Sequence, residues 1–189
     1  MNLRNKKDIR SLILEQREKV DINIRKEWDK SIFELLINSE FYKNASVIFI
    51  FVSFKSEVNT HRIIEHALNN SKTIYVPRIE SKEKGMEIFE IHSLEDLKTG
   101  YFSILEPKES CLAADSNNID LILMPGVAFD EQGGRVGYGK GFYDAFLRKM
   151  EKKVDKIALA YYFQILDKVP VDEFDVKIDG IVTNERIIK

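Results

Sequence analysis

Short apolar segments alternate with amphipathic helical segments along most of this chain, and the alternation limits the folds open to it. Residues 47–52 (VIFIFV) form a continuous apolar run rich in β-branched and aromatic residues, which is typical of a buried strand. Further strands are predicted at 73–77, 86–91, 119–126, 156–162 and 180–184. Strands separated by helices favour right-handed crossovers and a parallel sheet covered on both faces. We therefore expect a Rossmann-like, three-layer α/β/α fold with a mostly parallel central sheet.

Helical periodicity is clearest in the first forty residues, where two helices are predicted. In the first, one face carries Ile9, Leu12, Ile13 and Gln16, and another carries Lys6, Arg10 and Arg17. The second starts near Asp21, and its apolar residues recur at helical spacing: Ile24, Trp28, Ile32, Leu35 and Leu36. Later helices are expected after Asn59 or Thr60 and from about Gly141 to Lys152. Residues 98–118 are expected to form a loop, preceded by a short helical turn at 94–97.

Length, charge and composition exclude several classes of protein. The 189 residues suggest a single domain spanning 1–189, and a formal net charge of -2 argues against a dedicated nucleic-acid partner. No apolar run approaches the roughly 20 residues that span a bilayer, so no membrane partner is expected. The opening MNLRNKKDIR lacks the apolar core of a secretory signal. A lone cysteine, Cys111, excludes an intramolecular disulfide. We expect a cytoplasmic protein, monomeric or weakly dimeric.

Five glycines fall within nine positions in GGRVGYGKGFYD, residues 133–144. Glycine lets backbone N–H groups turn toward an anion, and the loop opens a predicted helix, whose N-terminus favours negative charge. Arg135 and Lys140 add two cations. The pattern predicts a phosphate site, and the alternative interpretation is a flexible surface loop with incidental charges. It is not a P-loop, because about seven residues separate it from the strand ending at Gly126 and Gly141 replaces the magnesium-binding hydroxyl.

Several other side chains have both a functional and a structural interpretation. Asp144 could supply oxygen to magnesium or could cap the following helix. Lys6 and Arg10, four residues apart on a helix, could clamp a phosphate or lie on a solvated face. Glu57 follows the first strand and could accept hydrogen bonds from a heterocycle, or be an ordinary surface residue. Tyr138 and Tyr143 could flank a flat ligand, with Phe142 in the core.

The segment MPGVAFDEQGGRVGYGKGFYDAFL, residues 124–147, resembles the signature of the 5-formyltetrahydrofolate cyclo-ligase (methenyltetrahydrofolate synthetase) family. The resemblance extends to Lys6 and Arg10, to SFKSEVNT, YVPRI and LEP, and to FDVKIDGIVT at residues 174–183. It implies an ATP- and Mg²⁺-dependent enzyme with a small-molecule folate substrate. ATP would phosphorylate the formyl oxygen, nitrogen 10 would close the ring, and ADP and phosphate would leave.

The resemblance also implies roles for individual residues. Asp144 and Asp175 match the family's magnesium ligands, and Lys140 with Arg135 would act on the transferring phosphoryl group. ATP would be held by Lys6, Arg10, Gly134, Arg135, Val136, Gly137, Tyr138, Gly139, Lys140, Gly141 and Phe142. The folate would be bound by Val52, Glu57, Tyr138, Gly139, Lys140, Gly141, Phe142 and Tyr143.

Two other functions remain open at this point. One is a different ATP-dependent kinase or ligase on the same fold, with another acceptor in place of folate. The other is a non-catalytic relative that binds folate or nucleotide without turnover. Both predicted carboxylates and the whole glycine loop are present, so the sequence shows no loss of the expected machinery.

Overall fold

The computed structural model describes residues 5–81, 85–100 and 104–189. Residues 1–4, part of the segment used to judge a secretory signal, and 101–103, part of the predicted loop, lie outside this description. Within it, the α-helices are α1 (Lys6–Lys19), α2 (Ile22–Asn38), α3 (Glu40–Asn44), α4 (His61–Asn69) and α5 (Phe142–Leu147). No helix among the described residues is both long and apolar enough to span a bilayer.

The central sheet has seven strands in the order β11-β10-β9-β6-β1-β2-β3. Its members are β1 (Val47–Ile50), β2 (Thr73–Ser81), β3 (Gly85–Ile91), β6 (Leu121–Met124), β9 (Asp155–Leu159), β10 (Gly180–Val182) and β11 (Ile187–Ile188). The five inner strands are parallel, and the edge strands β3 and β11 run antiparallel to their neighbours. The predicted α/β fold with a mostly parallel sheet is confirmed.

Alternation along the inner strands separates two hydrophobic clusters, one on each face of the sheet. Ile48 and Ile50 of β1 join the cluster that includes residues of α2 and α4, whereas Phe49 joins the cluster that includes Leu147 of α5. The three layers of the prediction are therefore present. Helix α1 packs elsewhere, since its Ile9 and Ile13 belong to a third cluster with Val127, Ala128, Val136 and Val169.

Two small hairpins depart from the predicted pattern. Strands β4 (Leu97–Thr99) and β5 (Leu105–Pro107) pair within the segment expected to be loop. Strands β7 (Ala128–Phe129) and β8 (Arg135–Val136) pair within the glycine-rich stretch itself. Strands of two or three residues are too short to show an alternating pattern, so only tertiary pairing reveals them.

Helix boundaries and faces also differ in places. Helix α2 begins after Asp21, whose side chain accepts from two backbone N–H groups, as predicted. Helix α5 ends at Leu147 instead of the predicted Lys152. Beyond it, the amides of Lys149 and Met150 each donate to the carbonyl three residues earlier, as in a 3-10 turn. Ile24 belongs to the apolar series of α2 but is 45% exposed, whereas Ile32 and Leu36 of the same series are buried. The main error is in α1, where Arg17 is buried and Gln16 is exposed.

A buried carboxylate holds the β7–β8 hairpin in place. Asp130 is 3% exposed, and its Oδ1 accepts from the amides of Gln132 (3.0 Å) and Gly134 (2.8 Å). Its Oδ2 accepts from the amide of Val169 at 2.9 Å. Gly134 is confined by this arrangement, because a Cβ there would lie 2.5 Å from Asp130 Oδ2. The glycine is required for close packing at this turn.

We expect Asp130→Ala to lower the free energy of unfolding by about 3 kcal/mol, because the buried amides of Gly134 and Val169 and the part-buried amide of Gln132 lose their acceptor. Urea unfolding monitored by circular dichroism measures the change. Asp115→Ala is a suitable comparison, since Asp115 caps one short 3-10 helix by accepting from a single amide, Asn117. That variant should lose only about 1 kcal/mol. Equal losses in the two variants would contradict the role given to Asp130.

Candidate active site

The sheet changes its direction of winding between β1 and β6. From β1 the chain proceeds outward to β2 on one side, and β6, β9 and β10 follow on the other. In open parallel sheets, ligands bind beyond the carboxyl ends of the strands at such a switch point. The loop after β1 and the glycine-rich loop after β6 both leave the sheet here.

The loop after β1 is closed by its own hydrogen bonds. The amide of Ser53 donates to Thr60 Oγ1 at 2.9 Å, and the amide of Thr60 donates to Ser53 Oγ at 3.1 Å. Within the loop, the amide of Phe54 donates to Glu57 Oε2 at 2.8 Å. Val52, predicted to contact substrate, is 5% exposed at the base of the loop. These bonds hold the Glu57 carboxylate at the switch point.

The glycine-rich stretch divides into an inner and an outer part. The amide of Gly134 already donates to Asp130, and Val136 is fully buried with its carbonyl accepting from Val127. The outer part, residues 137–141, is more exposed than the hairpin, with Gly139 at φ +94° and Gly141 at φ +70°. Free backbone donors for an anion therefore lie in this outer part.

Helix α1 reaches the outer part of the loop through Arg10. Its Nε donates to the carbonyl of Gly137 at 2.8 Å, and a Cβ at Gly139 would lie 3.2 Å from its Nη2. Lys140 is exposed beside these residues and has no hydrogen-bond or ion-pair partner in the described part of the chain. Lys140 therefore offers an uncompensated positive charge to a ligand at the loop.

Tyr138 extends from the same loop to Glu57, which is 81 positions distant in sequence. Its hydroxyl donates to Glu57 Oε1 and accepts from Arg17 Nη2 at 2.8 Å. Burial raises the pKa of Glu57, although the Tyr138 hydroxyl, the Phe54 amide and the Arg17 charge act to lower it. Burial and the neighbouring Glu57 also raise the pKa of Tyr138, which keeps this hydroxyl protonated at neutral pH.

Two ion pairs join the residues predicted to bind phosphate with those predicted to bind magnesium. Arg135 Nη2 lies 2.7 Å from Asp144 Oδ1, and Lys6 Nζ is hydrogen-bonded to Asp175 Oδ2. The two ion pairs lie next to each other, because the amide of Val176, the residue after Asp175, donates to Asp144 Oδ1 at 3.0 Å. Burial tends to raise the pKa of Asp175, but Lys6 and the amide of Asp172 outweigh it and hold that pKa low. The structure thus supplies Asp175, which local sequence spacing could not select.

The two aspartates fit a magnesium ion. Each is bonded through a single oxygen, so within the described residues Asp144 Oδ2 and Asp175 Oδ1 accept no hydrogen bond. No group of three or more metal-ligating side chains exists among the described residues. That donor set suits Mg²⁺, which commonly takes one or two carboxylates and fills its remaining positions with water and phosphate oxygens.

Two buried polar atoms near the switch point have no hydrogen-bond partner among the described residues. They are Arg135 Nε and the hydroxyl of Tyr143. The Tyr143 ring stacks on Phe49 at a centroid distance of 5.8 Å and an interplanar angle of 12°. Buried polar groups are nearly always hydrogen-bonded, so each of these two atoms is a candidate donor for a polar ligand. The sequence offered Tyr143 as a ring that could flank a flat ligand, and in the structure one face of that ring is taken up by Phe49.

Three residues that sequence reasoning did not select hold the site residues in place through hydrogen bonds: Arg17, Asp29 and Tyr161. Arg17 donates to Tyr138 and to Ser56, and Tyr161 donates to Asp29 Oδ1 at 2.8 Å. Asp29 also accepts from the amide of Asn59, which fixes the loop after β1. The one signal in the sequence for these residues was the position of Arg17. It follows Ile9 and Ile13 at a spacing of four residues, which places a charged residue on the buried face of α1.

The fold and site together define an α/β protein with a glycine-rich loop at the switch point of its central sheet. The model of the 5-formyltetrahydrofolate cyclo-ligase family matches residues 2–184. The mitochondrial 5-formyltetrahydrofolate cyclo-ligase of Arabidopsis thaliana is 32% identical over 211 positions, covering 98% of this chain and 76% of that protein. The 5-formyltetrahydrofolate cyclo-ligase of Escherichia coli K12 is 31% identical over 146 positions, covering 76% and 80% respectively.

Solved structures agree with the sequence comparisons. The NMR structure of Aquifex aeolicus 5,10-methenyltetrahydrofolate synthetase superimposes with a TM-score of 0.85 at 28% identity, covering 96% of this chain and 91% of that one. The Mycoplasma pneumoniae 5,10-methenyltetrahydrofolate synthetase gives a TM-score of 0.75 at 26% identity, covering 97% and 99%. The chain belongs to the 5-formyltetrahydrofolate cyclo-ligase family. It is an enzyme of the ligase class in folate one-carbon metabolism.

We expect Gly139→Ala to destabilise the protein more than Gly141→Ala. Both residues have positive φ, which costs an L-residue about 1–2 kcal/mol. Only a Cβ at Gly139 meets a neighbour, the Arg10 guanidinium, whereas the space at Gly141 is open. Thermal unfolding of both variants, alone and combined with Arg10→Ala, measures the difference. Arg10→Ala should bring the cost at Gly139 down to that at Gly141, and an unchanged cost would contradict the contact.

Proposed function

We propose that this protein converts 5-formyltetrahydrofolate to 5,10-methenyltetrahydrofolate, consuming ATP and requiring Mg²⁺. The observation that carries the proposal is the pair of adjacent ion pairs, Lys6–Asp175 and Arg135–Asp144, beside the outer glycine loop. They bring two cations suited to phosphate and two carboxylates suited to magnesium to one place. The curated relatives named as cyclo-ligases support the choice of substrate.

The reaction follows from the weakness of a formyl amide as an electrophile. Its oxygen attacks the γ-phosphorus of ATP, the bond to the β–γ bridging oxygen breaks, and ADP leaves. The formyl carbon now carries phosphate, a good leaving group. Nitrogen 10 attacks that carbon, loses its proton, and expels phosphate as the five-membered ring closes. Holding nitrogen 10 close to the activated carbon supplies much of the rate.

The protein's contribution is mainly positioning and charge. Lys6, Arg10 and Arg135 bind the triphosphate, and the amides of the outer glycine loop cradle it. Lys140, which has no ion-pair partner among the described residues, neutralises charge on the phosphoryl group as it moves. Asp144 and Asp175 hold Mg²⁺, whose charge offsets that of the phosphates. Arg135 Nε and the Tyr143 hydroxyl, the two orphaned donors, bond to substrate oxygens.

The pterin is bound across the switch point by Glu57. Its carboxylate has two oxygens and about four acceptor positions, of which the structure uses two, for Phe54 and Tyr138. The remaining positions accept the adjacent amino and ring N–H donors of the heterocycle. We place the reaction in the cytoplasm, since both substrates are water-soluble small molecules.

An absorbance assay for the methenyl product tests the proposed function. Purified protein is mixed with 5-formyltetrahydrofolate, with ATP and magnesium supplied together, singly or not at all. Product that forms only with both would support the proposal. ATP turnover without methenyl product would favour a kinase or ligase with another acceptor. Folate and ATP binding without any turnover would favour a non-catalytic relative.

We expect Asp144→Asn to lower turnover by about 10²-fold or more and to raise the magnesium concentration needed for half-maximal rate. The amide keeps the shape of the side chain but removes the charge that a metal ion requires. Initial rates across a magnesium titration measure both quantities. Glu151→Gln, at an exposed carboxylate beyond α5, is the control. A normal magnesium dependence in Asp144→Asn would rule out the metal role.

Lys140→Ala is expected to lower kcat by about 10²-fold while changing the KM for folate less than threefold, because the charge acts on the transferring group. Steady-state kinetics with each substrate varied in turn separate the two effects. Lys149→Ala removes another exposed lysine just after α5 and should change neither parameter. If Lys140→Ala weakened only folate binding, Lys140 would instead be a substrate contact.

A further inference from the structure

Arg17 is a buried cation that the proposed reaction does not use. It is 3% exposed on α1, and in the described part of the chain it forms no direct salt bridge with a carboxylate. Its Nε donates to Ser56 Oγ at 3.1 Å, and its Nη2 donates to the Tyr138 hydroxyl at 2.8 Å. A buried charge is costly unless it is compensated, so these two hydroxyls must lead to negative charge.

Both hydroxyls do lead to carboxylates. Ser56 Oγ donates onward to Glu18 Oε1 at 2.7 Å, and Tyr138 donates onward to Glu57 Oε1. Arginine is only a donor, so the tyrosine oxygen must accept from it and its single proton is directed to Glu57. Arg17 therefore fixes the orientation of a hydroxyl that would otherwise rotate freely. Its position, between the loop after β1 and the glycine-rich loop, is suited to this task.

We infer that Arg17 is a positioning residue of the pterin subsite, acting through the Tyr138 hydroxyl to keep Glu57 an ionised acceptor for paired N–H donors. This inference rests on the proposed function for the identity of the ligand. Arg17 thereby sets a preference for heterocycles that carry an amino group next to a ring N–H. An ionised carboxylate accepts both hydrogen bonds, whereas a protonated one turns one acceptor into a donor.

The charges around Glu57 agree with this role. The titratable groups that face it are Arg17 from α1, Tyr138 from the glycine-rich loop and Tyr143 from α5. Burial raises the pKa of Glu57, and Arg17 is the one cation among the described residues that opposes this rise. Removing Arg17 should raise that pKa further. Glu57 would then take up a proton at higher pH, and folate binding would fail earlier as the pH falls.

The test compares Arg17→Met with Arg17→Lys and with Lys19→Met, an exposed position on the same helix. We expect Arg17→Met to raise the KM for 5-formyltetrahydrofolate at least 10-fold, to leave the KM for ATP within about twofold, and to move the acid limb of kcat/KM for folate to higher pH. Arg17→Lys should restore part of the affinity. A pH limb and folate KM equal to those of Lys19→Met would overturn the inference.

A double-variant cycle tests the route through tyrosine. Tyr138 is 43% exposed, so Tyr138→Phe should fold even if Arg17→Met does not. Tyr138→Phe should also raise the folate KM, and adding Arg17→Met should change it little further, because the relay is already broken. Fully additive effects, or an unchanged folate KM in Tyr138→Phe, would overturn the inference.

A measurement independent of turnover separates this inference from the proposed function. Carbon-13 NMR of labelled glutamate side chains gives the pKa of Glu57 in each folded variant, assigned by its absence in Glu57→Gln. A higher pKa in Tyr138→Phe and Arg17→Met than in the parent supports the relay, even if the parent makes no methenyl product. An unchanged pKa overturns it, even if the parent is an active cyclo-ligase.

Discussion

The reversal of winding between β1 and β6 is the constraint on which the rest of the site depends. Parallel neighbours must send their following loops out of the same edge of the sheet, and the reversal leaves a crevice between those loops. The loop after β1 brings Glu57 to one side of this crevice. The glycine-rich loop brings Tyr138 to the other, and their contact closes it. Helix α1, packed on the β7–β8 hairpin, then places its cations above the same point.

Charge compensation explains how so many ionic groups can share this edge. Lys6 and Arg135 would repel each other without Asp175 and Asp144, and each carboxylate would be costly in a partly buried site without its cation. The formal charges of these four residues cancel, and Asp172, an exposed carboxylate 2.6 Å from Lys6 Nζ, adds one further negative charge at the edge of the cluster. A nucleotide with its magnesium ion is also a pairing of negative and positive charge. When such a ligand binds, the phosphates can pair with Lys6 and Arg135 while the magnesium ion pairs with Asp144 and Asp175. Every buried charge then still has a partner of opposite sign.

The elements most accessible from sequence were those with strong local patterns. Apolar runs located the inner strands, and the density of glycine located the loop that follows β6 at the switch point. Asp175 acts through a contact with Lys6, 169 positions away, so no local spacing identifies it. Arg17 also acts at long range, through Tyr138, and its only local signal is the i, i+4 series of Ile9 and Ile13 that it continues. The β7–β8 hairpin was missed for a different reason: a strand of two residues is too short to show the alternation of apolar and polar residues that identifies strands. Consequently Gly134 and Val136, assigned to nucleotide by motif, proved to have their backbone groups engaged within the hairpin.

A crystal structure with Mg²⁺ and a non-hydrolysable ATP analogue would test this exchange of partners most directly. The arrangement predicts that phosphate oxygens contact Lys6, Arg135 and the outer glycine loop. It also predicts that Asp144 and Asp175 turn from their arginine and lysine partners toward the metal ion. A nucleotide bound elsewhere, with the Lys6–Asp175 and Arg135–Asp144 pairs both intact, would contradict the account.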